Sequence, residues 1–350
     1  MDTRAHILAH CAHYPQLQPP DLLKFLHHSV FGCGHLVSSP ETAEDWLRRE
    51  MADCTDSTIE PLDGAFCRVH LGLLTKLGIS PRSFARLFAL SAQKEAGTAD
   101  ELESRLTAAL ELAREGQLPF SFAVLSAAVD AWRTAGFPAQ HHSEIFRRTY
   151  APAYRVLHRA HAELLPLLGR IDTLLRQNEQ VIFAIDGGAG SGKSTVAHLL
   201  QQVYDCTVLH MDDFFLRPEQ RTPERYATPG GNVDHERFLE EVLLPLRQGK
   251  AFRYRPFDCG TFTVSEGFGV TPRKLTVVEG SYSLHPMLRQ YYDGSVFLRV
   301  DPAVQRARIE KRNSPSFAQR FFDIWIPLEQ AYFDTFDPAT VCDLILEANL

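Results

Sequence analysis

The stretch Val181-Ile182-Phe183-Ala184-Ile185-Asp186-Gly187-Gly188-Ala189-Gly190-Ser191-Gly192-Lys193-Ser194-Thr195 decides the fold. Its first five residues are apolar and rich in β-branched and aromatic side chains, too short a run for a helix and suited to a strand covered on both faces. After Asp186, the eight residues from Gly187 to Ser194 fit G-x-x-x-x-G-K-[ST], and helical spacing resumes over 193–204. A strand, a glycine-rich turn and a helix in that order form the context a phosphate-binding P-loop requires. Glycines let the backbone curl so that successive N–H groups of Gly187, Gly188, Ala189, Gly190, Ser191 and Gly192 converge on an anion. The helix start adds its positive dipole end. Lys193 supplies a mobile charge for the β- and γ-phosphates, the Ser194 hydroxyl can ligate Mg²⁺, and Thr195 adds a neighbouring hydroxyl.

Working outward, the second half of the chain repeats short apolar runs at 207–209, 275–278, 296–298 and 344–346. They alternate with helical stretches near 193–204, 235–248, 285–292, 302–312 and 316–335. Strand–helix alternation with continuous apolar strands predicts a parallel α/β sheet flanked by helices, of the P-loop NTPase type. After the second run comes Met211-Asp212-Asp213-Phe214-Phe215. A carboxylate at the carboxyl end of a parallel strand points into the ligand crevice. There Asp212 can take a proton from an acceptor hydroxyl, hold Mg²⁺ through water, or merely cap a turn.

The first half has another character. Ser39-Pro40-Glu41, Ser80-Pro81 and the Thr98…Glu101 capping box are helix starts, each followed by apolar residues at helical spacing. Further helices are predicted near 121–134 and 143–176, with Pro152 and Pro166 splitting the second. No strand pattern and no fixed-period repeat stands out. An all-α domain over 1–175 followed by a P-loop domain over 176–350 is the expected organisation, with the break at the polar run 176–180. Eleven of the 15 histidines lie before residue 171. His6, His10 and His13 share a helix face, which the reading takes as surface, as it does the pairs His27-His28 and His141-His142. The turn Phe31-Gly32-Cys33-Gly34-His35 reads as a helix C-cap.

Composition bounds the rest. The chain has 350 residues, 45% hydrophobic and 23% charged, with formal net charge -7. An acidic balance argues against nucleic acid as the partner of the whole chain. No apolar stretch reaches the ~20 residues of a membrane span, and no signal-peptide pattern opens the sequence. Seven cysteines without a C-x-x-C pair suggest a reduced, cytoplasmic chain.

Over about residues 179–348 the sequence resembles the uridine kinase and phosphoribulokinase-like group of P-loop kinases. Asp212-Asp213-Phe214-Phe215 matches the family's D-x-F-[YH] element, and Asn232-Val233-Asp234-His235-Glu236-Arg237-Phe238 its N-x-D-H-x-x-x-[FL] element. Arg255-Pro256-Phe257-Asp258 echoes P-x-Y-D, Val277-Val278-Glu279-Gly280 matches the strand-end E-G, and Asp301 to Arg312 resembles the arginine-bearing lid. The elements occur in family order. The resemblance implies ATP and Mg²⁺ as cofactors and a small-molecule hydroxyl as acceptor. It makes Asp212 the base or steering group and has Ser194, Asp212 and Glu279 serve the metal. Asp234 then holds an acceptor hydroxyl, and Arg306, Arg308 and Arg312 close over the transferring phosphoryl group.

Three departures bear on the acceptor. Uridine kinases place a tyrosine in P-x-Y-D and a histidine five residues later, whereas this chain has Phe257 and Phe262; Phe215 stands where the D-x-F element also carries a polar ring. Each change removes a polar handle, so nucleoside specificity does not transfer. Arg253 and Arg255 flank the segment with Asp258, either receiving an acidic group of the acceptor or lying as exposed strand-edge charges. Sugars, sugar phosphates and pantothenate-like acids are alternative acceptors, and a non-catalytic nucleotide-gated sensor is the rival from another class. Regulation, homo-oligomerisation and a share in acceptor binding stand open for the first half.

Overall fold

The structure is a computed structural model and describes residues 2–34, 39–94 and 97–347. His35 and the end of the kinase-like segment at 348 lie outside the described residues. The chain divides into two compact units, Met1–Leu165 and Pro166–Leu350, so most of the helix Leu165–Gln177 goes with the second.

The N-terminal unit is mainly helical, and its helices start where the caps foretell. Ser39 Oγ accepts from Thr42 N (3.2 Å), Ser80 Oγ from Ser83 N (3.1 Å), and Thr98 and Glu101 complete a reciprocal capping box. The unit also holds a three-stranded antiparallel sheet that the apolar spacing does not announce: β1 (Ile59–Pro61), β2 (Phe66–His70) and β3 (Tyr154–His158). The predicted helix over 143–176 is thus interrupted by β3. The central strand β2 is buried at every position although it carries Arg68 and His70. Register puts Glu60 opposite Arg68, Arg68 Nη1 lies 3.2 Å from Glu60 Oε2, and its guanidinium sits 4.6 Å from the Tyr154 ring centroid. Those partners let a charged residue occupy a core strand, which a hydrophobicity pattern cannot show.

The surface reading of the histidines fails at three positions. His10, His27 and His28 are buried. His10 Nδ1 lies 2.7 Å from Glu60 Oε1, and its ring stacks on Phe25 at 4.0 Å. Burial pushes both His10 and His161 down to about 4 from 6.5. The unfolded chain therefore takes up these protons first, so the stability they confer is complete above pH 6.5 and is lost as pH falls toward 4. Each contributes about 1.4 kcal/mol per pH unit in that window. The urea midpoint of this unit's transition is expected to be clearly lower at pH 5 than at pH 7.5; equal midpoints would contradict neutral buried histidines.

The C-terminal unit is built on a parallel sheet of β4 (Val181–Gly187), β5 (Thr207–His210), β10 (Leu275–Glu279), β11 (Gly294–Arg299) and β12 (Leu344–Glu347), ordered β12-β11-β4-β10-β5. Two small antiparallel pairings lie outside that sheet, β6 (Phe252–Tyr254) with β9 (Phe268–Val270) and β7 (Phe257–Asp258) with β8 (Thr263–Val264). Central strands β4 and β10 are buried throughout, as continuous apolar runs covered on both faces must be. Register aligns Ile185, Glu279 and His210 in one row at the carboxyl ends of β4, β10 and β5. The glycine-rich turn, Glu279 and Asp212 therefore emerge at the same edge of the sheet, where ligands of open α/β sheets bind. Among the described residues no helix is long and apolar enough to cross a membrane.

Candidate active site

The P-loop leaves β4 through Gly187 at φ +146, and a Cβ there would lie 2.5 Å from the Leu298 carbonyl oxygen. Only glycine fits that approach. The helix Lys193–Tyr204 then begins behind Gly192 at φ +93. Lys193 is 9% exposed. Its Nζ donates to the carbonyls of Gly187 (2.8 Å) and Gly188 (2.9 Å) and to Ser281 Oγ (3.3 Å).

Asp186, the last residue before the loop, is fully buried and serves the turn that carries Glu279's successors. Its carboxylate accepts from the backbone N–H of Gly187 (2.6 Å), Tyr282 (3.2 Å) and Leu284 (2.9 Å) and from the Tyr332 hydroxyl (2.9 Å). Burial raises its pKa against these stabilising bonds. Removing the carboxylate strands several buried donors at once. Asp186→Ala is expected to cost about 2–4 kcal/mol in urea denaturation; an unchanged midpoint would show that the donors find other partners.

A cleft of about 680 Å³ opens over the loop. Its floor is Ala189, Gly190, Gly192, Lys193, Ser194 and Thr195, with Asp212, Glu279 and Ser281 beside them. Ser194 Oγ donates to Glu279 Oε1 (3.1 Å), and His210 Nδ1 lies 2.6 Å from the same oxygen. That bond to Glu279 raises the pKa of His210 over the opposing effect of burial. Asp212 is exposed and lines the cleft. Loss of hydration raises its pKa; Glu279 and Asp213 push the same way, while Lys193 and His210 oppose. The neighbouring Asp213 is held apart, accepting from the Tyr254 hydroxyl at 2.7 Å. Of the Asp-Asp pair, the cleft thus receives Asp212.

The cleft is also lined by Phe215, Arg221, Tyr226, Asn232 and Phe262 from one part of the chain and by Arg312, Phe317, Arg320, Phe321 and Trp325 from another. Arg221 lies 5.4 Å from the Phe257 ring centroid and 5.0 Å from that of Phe262. The remaining candidates fall elsewhere. Arg306 is exposed, lies 3.3 Å from Glu310 and covers Phe322. Arg308 Nη1 donates to the Gly190 carbonyl (3.2 Å), holding the loop from outside. Arg253 bonds the carbonyls of its own hairpin at Glu266 and Gly267. Arg255 pairs with Glu241, and Asp258 accepts from Gly260 N (2.7 Å) within a turn. Phe257 is buried. Asp234 caps the helix His235–Phe238 through Oδ1 and lines a neighbouring depression with Arg217, Arg237 and Arg255; Phe262 borders both cavities.

Sequence reasoning passed over Asp186, Gln305, Ser281 and Glu329. Asp186 carried a signal, an acid ending a buried strand directly before the loop. Glu329 carried none: it is 140 residues from Ala189, whose N–H it accepts at 2.8 Å.

Comparisons with known proteins find relatives of part of this chain. No family model matches the chain. It is 32% identical over 148 residues to uridine kinase-like protein 4 of Arabidopsis thaliana, covering 39% of this chain and 31% of that protein. It is 30% identical over 139 residues to the uridine kinase of Geobacillus kaustophilus, covering 37% of this chain and 64% of that one. The chain thus spans about a third of the plant relative and just under two thirds of the bacterial one. The solved structure of a possible uridine kinase from Bacillus stearothermophilus aligns over 51% of this chain and 98% of its own, at 22% identity and TM-score 0.39. The C-terminal part of this chain is a P-loop kinase-like region related to the uridine kinases.

Proposed function

We propose that the chain is an ATP-dependent kinase that transfers the γ-phosphoryl group to a hydroxyl of a small molecule. The observation that carries this reading is the shared cleft: the P-loop with Lys193, the Ser194–Glu279 contact and the free face of Asp212 all open into it. A purely nucleotide-gated sensor needs no acceptor base, the role that Asp212 can fill in this cleft. Asp212 takes the acceptor proton or steers the hydroxyl, and the loop amides and Lys193 hold the triphosphate in line with it. Ser194 and Glu279, with Asp212 in the same cleft, are a hard-oxygen donor set that fits Mg²⁺; the cation, when bound, neutralises phosphate charge.

The acceptor wall supports a second refinement. Phe215 and Phe262 give it apolar rings where uridine kinases read the base, and Arg221 brings a cation to it. This favours an acceptor bearing an acidic group, such as a sugar phosphate or a pantothenate-like acid, over a plain nucleoside. All seven cysteines are free, in keeping with a reducing cytoplasmic setting. The test is a mass-spectrometric search of a metabolite extract for products phosphorylated only when enzyme and ATP are both present, followed by a panel of uridine, sugars, sugar phosphates and pantothenate. Tight ATP binding with no phosphorylated product would favour the sensor.

A further inference from the structure

The crest of the P-loop is held from both sides by side chains that no sequence motif singles out. Ala189 N–H donates to Glu329 Oε2 (2.8 Å), and the Ala189 carbonyl accepts from Gln305 Nε2 (2.8 Å). Glu329 is 6% exposed, and its other oxygen lies 2.6 Å from Ser281 Oγ. Ser281 in turn accepts from Lys193 Nζ (3.3 Å) and reaches the Gly187 carbonyl (2.9 Å). One carboxylate therefore orients both the loop crest and the lysine. The two clamping residues come from the helices Pro302–Arg312 and Ile326–Phe336, which flank the segment bearing Arg320, Phe321 and Trp325.

We propose that Glu329 and Gln305 are positioning residues for the nucleotide phosphates: Glu329 fixes the Gly188–Ala189 peptide by its N–H, Gln305 fixes the Ala189–Gly190 peptide by its C=O, and Glu329 fixes Lys193 through Ser281. The proposal rests on the reading of this cleft as an ATP site. With the peptide on each side of the Ala189 Cα held by a side chain, the crest of the loop keeps its curl before a ligand arrives. Such preorganisation lowers the cost of binding. Without the clamp, part of the binding free energy goes to ordering the loop.

The test is titration calorimetry of the full chain with Mg·ATP, which needs no acceptor. Gln305→Ala is expected to weaken binding about fivefold and Glu329→Ala about tenfold, while Glu329→Gln stays within about threefold of wild type. Glutamine can still accept the Ala189 N–H, and Ser281 can still donate to Gly187. A generic loss of stability would not be rescued by glutamine, and Gln305→Ala keeps the test open should Glu329→Ala fail to fold. Wild-type affinity in both alanine variants would overturn the proposal. Tighter binding by Glu329→Ala would overturn it as well, making the carboxylate a competitor of the phosphates. A wild-type chain that binds no Mg·ATP would instead sink the nucleotide reading itself.

Discussion

Lys193→Ala is expected to lower ATP-dependent phosphorylation at least about a thousandfold while leaving the fold in place. The lysine is the cation of the loop, and its Nζ is already directed to the loop carbonyls of Gly187 and Gly188. From that position a small rotation about its side-chain bonds carries the charge to an incoming phosphate. Among the described residues no other lysine lines the cleft, and the arginines Arg221, Arg312 and Arg320 line it from outside the loop. Truncation strands two carbonyls and the Ser281 hydroxyl, a loss of about 1–3 kcal/mol that a folded domain can tolerate. Product formation in a metabolite extract and a thermal melt of the same preparation separate chemistry from folding. Wild-type yield in a well-folded variant would remove Lys193 from the mechanism.

Asp212→Asn carries the second large expectation: turnover falls about 10²- to 10⁴-fold, with Mg·ATP affinity changed by no more than a few-fold. Asparagine keeps the volume and loses the ability to take a proton. The companion Asp213→Asn sharpens the comparison. Asp213 is engaged by Tyr254, so its substitution is expected to lower stability more than turnover. Full activity in Asp212→Asn, with loss in Asp213→Asn, would reverse the assignment. Loss of Mg·ATP binding in Asp212→Asn would place its main contribution with the metal instead of the acceptor hydroxyl.

The parts of the site that lie along one strand end were legible. Gly187 to Thr195 are contiguous, and their chemistry follows from local backbone geometry. Glu279 and Asp212 end apolar runs, and a parallel sheet brings all its carboxyl ends to one edge. The residues that form the cleft walls were less so. Arg306 and Arg308 look alike in sequence, yet one is exposed beside Glu310 and the other grips the Gly190 carbonyl, because successive even positions on a helix diverge by about 200°. Arg253 and Arg255 face solvent and Glu241 rather than the cleft, since the hairpin they flank sets their direction.

By itself the sequence determined the parallel sheet, the phosphate loop and the two strand-end acids, since period, glycine placement and chain order are local quantities. Tertiary structure alone decided that Asp186 braces the turn after Glu279, that Glu329 reaches Ala189, and that Arg68 is buried in a core strand. Each of those depends on which distant partner can satisfy a buried polar group. Desolvation makes that partner obligatory, but only the folded chain says which residue supplies it.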